Sequence, residues 1–149
     1  IYNKKTVTDM ITDDINKTAV SDRNRQMFLM ILDIDNFKSV NDSYGHYFGD
    51  EVIKAFADSL KLSVGGRGIV GRIGGDEFVM LIENPVETEI ESMVESVSAA
   101  LQEKNSQGEM PVSSAVGWAE GCGVDVRKII NEADAKMYEN KTRGKECRK

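Results

Sequence analysis

The residues best suited to chemistry in this chain are acidic, and they fall into two short groups. Asp33-Ile34-Asp35 closes the continuous apolar run from Met27 to Leu32. In a strand, alternation places Asp33 and Asp35 on the same face, where the run ends. Two carboxylates at a strand end suit a hard cation such as Mg²⁺, which takes one or two carboxylates and completes its shell with substrate phosphates. Acids also end buried strands with no ligand present, so Asp-x-Asp alone is a weak signal. The second group is Gly74-Gly75-Asp76-Glu77-Phe78. Paired glycines accept the positive φ of a hairpin turn and let a ligand approach the backbone. As a bare hairpin it would be structural, but five specified residues in a row arise by chance at roughly one position in a million.

These groups need elements to hold them. Gln26 to Asp35 is apolar on both faces until its end, the pattern of a buried strand. Gly49 and Asp50 open a helical pattern in which Val52, Phe56 and Leu60 lie four apart with Ile53 beside them. Ile69–Ile73 and Phe78–Glu83 are strand candidates either side of the glycine turn. Ile90, Met93, Val94, Val97 and Leu101 have helical spacing, Pro111–Ala119 reads as a strand, and Val126, Ile129, Ile130, Ala133 and Met137 mark a last helix. Tyr138 reads as helix packing. Strands interleaved with helices predict an α+β fold, an α/β sandwich with helices on a central, mostly antiparallel sheet.

Composition sets limits. A chain of 149 residues, 40% hydrophobic and 30% charged, is expected to form a single domain and is neither a disordered tail nor a coiled coil. No apolar run approaches the length of a membrane span, and no signal peptide is expected from the pattern of this sequence. A net charge of −6 disfavours binding to a nucleic-acid backbone. Cys122 and Cys147 form no CxxC pair, and His46 is the one histidine, which argues against a Cys/His zinc site. His46 itself reads as a packed or capping residue. Two lone thiols point to a reducing, cytoplasmic location. Because the chain starts at Ile1, a longer parent protein is expected, with an N-terminal sensor or receiver domain.

The two acidic groups, taken with their flanks, resemble the GGDEF domain family of diguanylate cyclases. Gly74 to Phe78 carries the family's name-giving motif. Asp33 to Lys38, Asn41-Asp42, Tyr44-Gly45-His46 and Gly49-Asp50 resemble its upstream signature, and Ala133-Asp134, Met137-Tyr138, Lys141 and Gly144-Lys145 its closing helix. Asp9-Met10-Ile11-Thr12 with Asn16 resembles its opening turn. The resemblance implies a palm-like fold similar to nucleotide cyclases and polymerases. It also implies condensation of two GTP into cyclic di-GMP, a bacterial second messenger, with release of two pyrophosphates by a symmetric homodimer.

Carried over residue by residue, the resemblance makes Asp33, the backbone carbonyl of Ile34, Asp76 and Glu77 the metal-binding groups, for two Mg²⁺ or Mn²⁺ per half-site. Asp76, with Glu77 beside it, is the catalytic acid, and Asp35 plays a supporting part. Asn41 and Asp50 match the guanine-binding pair; an amide and a carboxylate complement guanine's acceptor face and N–H edge. Lys38, Lys141 and Lys145 match phosphate contacts, and Arg72 joins them or serves as an ion-pair partner. The family's inhibitory product site would fall at Gly65 and Gly68, so feedback there is expected to be absent. Only Lys17 to Leu32 separate Asn16 from Asp33, which predicts a short first helix. Lys136 and Asn140 depart from the family's alanines. An alternative function is a non-catalytic GTP-binding sensor module, and a weaker one a structural dimerisation domain.

Overall fold

The computed structural model describes residues 2–21, 27–66, 68–83, 88–89, 91–93, 95–96, 99, 114–121 and 126–146. Among them the elements run α1 (Lys4–Ser21), β1 (Met27–Ile34), α2 (Phe37–Tyr44), α3 (His46–Val64), β2 (Gly68–Arg72), β3 (Glu77–Glu83), β4 (Ser114–Gly121) and α4 (Val126–Glu146). The strands form one sheet in the order β2-β3-β1-β4, and every pairing is antiparallel. The expected α+β sandwich is therefore observed.

Alternation along β1 sorts the core into two layers. Phe28, Met30, Leu32 and Ile34 face α2 and α3, where Val40, Val52, Phe56, Leu60 and Val64 meet Phe78, Met80 and Ile82 of β3. Phe56 and Phe78 meet edge-to-face with centroids 4.9 Å apart. Leu29 and Ile31 face the other way, toward Val7 and Ile11 of α1 and Ile129, Ala133 and Met137 of α4. A strand covered on both faces explains why its sequence is a continuous apolar run. The expected Val52, Ile53, Phe56 and Leu60 stripe is buried.

Several boundaries differ from the sequence reading. The first helix is not short: α1 has 18 residues. Asn3 caps it, its Oδ1 accepting from the Thr6 N–H at 3.0 Å. Asp9 to Thr12 lie inside this helix rather than in a turn, so the spacing argument from Asn16 counted from a helix interior. Helix α3 opens at His46, before Gly49. β1 stops at Ile34, and Asp35 lies in the turn beyond it. Alternation therefore does not put Asp35 beside Asp33. Tyr138 is 69% exposed and packs on nothing in the core, since the buried stripe of α4 runs through Ala133 and Met137. The expected helix around Met93 is helical at its described positions, with Met93 buried, while Ile90, Val94, Val97, Leu101, Cys122, Cys147 and residues 111–113 lie outside the described set.

Candidate active site

The antiparallel register places Asp33 directly opposite Glu77 on one side and Ala115 on the other. Asp33 is buried. Two like charges facing each other across a ladder oppose folding. The turn before β3 adds a third acid, because the Ile34 N–H donates to the Asp76 carbonyl at 3.1 Å and so ties Asp76 to the end of β1. Burial, then the neighbouring Asp76 and Asp35 charges, push the Asp33 carboxyl above its ordinary value despite an opposing bond from Lys141. Burial likewise pushes Glu77 up, with Asp33, Asp76 and Asp134 adding to it. Asp134, on α4, is an acidic neighbour that the sequence reading did not count as part of the site.

The cation that meets this group is Lys141. Its Nζ stands 2.6 Å from Asp33 Oδ1 in a partly buried ion pair. Burial works against the ammonium, but the bond to Asp33 and the surrounding acids hold its proton more tightly than usual. Two contacts between α4 and β4 bring Lys141 there. Gly117 lets α4 lie against β4, for a Cβ at that position would stand 2.1 Å from the Ala133 carbonyl oxygen and the Met137 nitrogen. One turn past Met137, Asn140 Nδ2 donates to the Val116 carbonyl at 2.6 Å. Asn140, read from the sequence as a departure, is thus the side chain that ties α4 to β4 beside the site.

The turn itself corrects two expectations. Neither Gly74 nor Gly75 has positive φ. Gly74 is needed for room instead, since a Cβ there would meet Glu77 Oε2 at 2.7 Å, whereas Gly75 has nothing within 4 Å and faces open space. Arg72 does not point at the carboxylates. Its guanidinium holds the carbonyls of Gly74 and Gly75, so the expected ion pair is replaced by hydrogen bonds to the turn.

The remaining candidates form a second group. Asn36 takes a left-handed conformation, φ 57°, which an asparagine tolerates and which reverses the chain from β1 into α2. Asn41 lies over Gly49, where any Cβ would overlap its Oδ1 at 1.9 Å. Asp50 follows Gly49 on the exposed side of α3. Asn41 and Asp50 are thus brought together by the α2–α3 corner. A cavity of about 590 Å³ opens between α3 and the hairpin, lined on one side by Ile53, Lys54 and Ala57 and on the other by Arg72 to Gly74 and Phe78. Lys38 stands exposed in the first turn of α2, and Lys145 lies on the last turn of α4, its side chain outside the described set. Gly65 closes α3, and Gly68 begins β2 against the Leu81 carbonyl.

Among the described residues no three acidic, imidazole or thiol groups are grouped closely enough to chelate a metal unaided. Mg²⁺ does not require such a group when phosphates complete its shell. Several acids against one ammonium, with hard oxygen donors only, fit such a cation. Among the described residues no helix is long and apolar enough to cross a membrane.

Comparison with known proteins places this geometry in context. A family model described as diguanylate cyclase, GGDEF domain, matches residues 1–147. The diguanylate cyclase DgcS of Shewanella oneidensis is 33% identical over 137 residues, covering 89% of this chain and 46% of the relative. The cyclic di-GMP phosphodiesterase PdeR of Escherichia coli is 33% identical over 147 residues, covering 96% of this chain and 22% of the relative. The chain thus spans less than half the length of either curated relative. The structure of the active GGEEF domain of a diguanylate cyclase from Vibrio cholerae superposes with a TM-score of 0.79 at 25% identity, covering 96% of this chain and 92% of that one.

Proposed function

The chain belongs to the GGDEF domain family, and from that premise we propose that it is a diguanylate cyclase domain, condensing two GTP into cyclic di-GMP with release of two pyrophosphates. The observation that carries this reading is the unbalanced acidic cluster at the end of β1. Asp33 faces Glu77 across the ladder, and Asp76 is tied in by a main-chain bond. Like charges kept together at a cost to folding mark a site that waits for a cation. Asp33, Asp76, Glu77 and the carbonyl of Ile34 would hold two Mg²⁺ or Mn²⁺. When bound, such ions neutralise phosphate charge and polarise the phosphoryl oxygens.

This chain's own residues perform the rest. Asp50 accepts from guanine's N1–H and N2–H₂ edge while the Asn41 amide donates to its acceptor face. The cavity between α3 and the hairpin offers an apolar floor of Ile53, Ala57 and Phe78 to the nucleoside. Lys141 exchanges Asp33 for a phosphate oxygen, and Lys38 and Lys145 add positive charge along the triphosphate. Asp76, with Glu77 beside it, accepts the proton of the attacking 3′-hydroxyl. That oxygen bonds to the α-phosphorus of the second nucleotide, and the bond to pyrophosphate breaks. Each copy holds one GTP, so the two substrates meet in a homodimer whose two-fold symmetry matches that of the product. A monomer binds GTP without turnover.

One observation favours a second reading, a GTP-binding sensor module. A relative of similar identity is named as a phosphodiesterase, so domains of this kind occur in proteins with the opposing activity. The deciding experiment is to fuse the domain to a dimeric zipper, supply GTP and Mg²⁺, and seek cyclic di-GMP by mass spectrometry. Product is expected; GTP binding without product would replace the cyclase reading with the sensor.

A further inference from the structure

The Arg72 guanidinium is bound to the main chain of the turn that carries the acids. Its Nε lies 3.2 Å from both the Gly74 and Gly75 carbonyl oxygens, and Nη2 approaches the Gly75 oxygen at 2.5 Å. These two carbonyls belong to the only stretch of the β2–β3 connection with no ladder of its own. Upstream of Arg72 the strand pairs with β3, and its N–H donates to the Tyr2 carbonyl at 3.0 Å. Downstream, the Ile73 and Gly74 N–H groups donate to the Glu77 carbonyl at 2.9 and 3.2 Å. Beyond that, Asp76 is held to β1 through Ile34. The Gly74 and Gly75 carbonyls have Arg72 as their partner, and a Cβ at Gly75 would meet nothing within 4 Å.

We propose that Arg72 is the positioning residue of the hairpin: a fork that fixes the Gly74–Gly75 peptides and so sets where Asp76 and Glu77 present their carboxylates to Asp33. This rests on the cyclase reading of the same site, and it replaces the role of phosphate ligand expected from the sequence. The chemistry of the side chain supports it. A planar guanidinium spans two acceptors at fixed separation, which a single ammonium cannot reproduce. With Nε and Nη2 engaged by carbonyls and its base anchored at the end of β2, the side chain is directed along the turn. The device works at a distance from the reacting atoms, and a misplacement of about 1 Å in such a site costs on the order of 10²-fold in rate.

The two roles separate in Arg72→Lys, which keeps the charge and removes the fork, compared with Arg72→Gln, which removes both. The first readout is amide hydrogen exchange of the nucleotide-free chain. Ile73, Gly74 and Ile34 should exchange at least about tenfold faster in both variants, with the β1–β4 ladder unchanged. Unchanged protection at these amides would overturn the clamp. The second readout is turnover in the zipper-fused dimer. Both variants should lose kcat alike, by about 10- to 100-fold, with GTP affinity measured without metal held within about twofold. An Arg72→Lys protein close to the parent in kcat, or an Arg72→Gln protein that loses GTP affinity tenfold, would restore the phosphate-ligand role and sink the proposal. If the parent itself forms no cyclic di-GMP, the cyclase reading fails on its own, and the exchange data still decide whether Arg72 holds the turn.

Discussion

The two ends of the candidate site are built in opposite ways. The end proposed to bind guanine is local: Asn41 and Asp50 lie on successive helices, and one glycine, Gly49, leaves room for the Asn41 amide. The carboxylate end is assembled from β1, the β2–β3 turn, β3 and α4, with Lys141 and Asp33 separated by 108 positions. At the local end Asp50 is exposed and Asn41 half-buried, whereas Asp33 is buried at 4% exposure. The corner joins residues close in sequence, so its geometry does not depend on strand register. The acidic cluster exists only when the sheet register, the turn and the seat of α4 are all correct, and its like charges work against folding. On the proposed function, specificity is thus placed at a corner of neighbouring helices, and chemistry where the whole fold must be right.

The comparison predicts its own failures, and the largest effect falls at the carboxylate end. Asp76→Ala should lower cyclic di-GMP formation by at least about 10³-fold, roughly 4 kcal/mol of transition-state stabilisation, with metal-free GTP binding retained. Turnover that survived would remove Asp76 from the metal site. At the local end, Asp50→Ala should act on selectivity instead. Discrimination of GTP over ATP in kcat/KM should fall by about 10- to 100-fold, some 1–3 kcal/mol, with the unfolding temperature nearly unchanged. A loss of folding there would show that the corner is less independent than argued.

Packing beneath the carboxylate end gives a middle-sized effect. Gly117→Ala drives a methyl group into the α4 backbone and should cost about 1–3 kcal/mol, visible as a lower melting temperature together with weaker turnover. Because Lys141 rides on α4, the two losses should travel together. A variant that lost stability but kept full activity would show that α4 is not what places Lys141.

The smallest effect is a pH dependence. Asp33 and Glu77 hold protons more tightly in the fold than in the unfolded chain. Their contribution therefore favours folding in acid and is lost as pH rises from the ordinary carboxylate range through their raised values. Asp33→Asn removes one such group while keeping an acceptor for Lys141. Between about pH 4 and pH 7 its unfolding free energy, measured without metal, should fall less than the parent's, by about 1 kcal/mol or less. An equal fall would mean that Asp33 ionises in the fold as easily as in water, and a steeper one that the fold favours its charged form.

How much was legible in advance follows the same division. Sequence periodicity marks α3 and α4 because each has a stripe that meets one sheet face, and β1 is visible because both its faces are covered. It does not mark α2, whose 8 residues bury only Val40 and leave too little pattern to detect. Helix α1 was hidden for another reason: it buries Val7 and Ile11 alone among its described apolar side chains, and a motif was matched inside it. The expected turn glycines were correct in identity but not in conformation, because at Gly74 the constraint is the folded-back Glu77 carboxylate rather than φ.

By itself the sequence determined the chemical types: hard oxygen acids at a strand end and in a turn, an amide and a carboxylate near one helix corner, and lysines in the last helix. Short-range spacing encodes these, since neighbours in sequence stay neighbours in any fold. Only the tertiary structure decided the pairings. It set Glu77 against Asp33, placed Lys141 on that same aspartate, put the Arg72 guanidinium on the turn carbonyls and gave Asn140 a task. Such contacts depend on strand register and on how closely a helix can approach a sheet. Those are fixed by the packing of the whole chain, and a single glycine at Gly117 decides the approach without any signal in its neighbours.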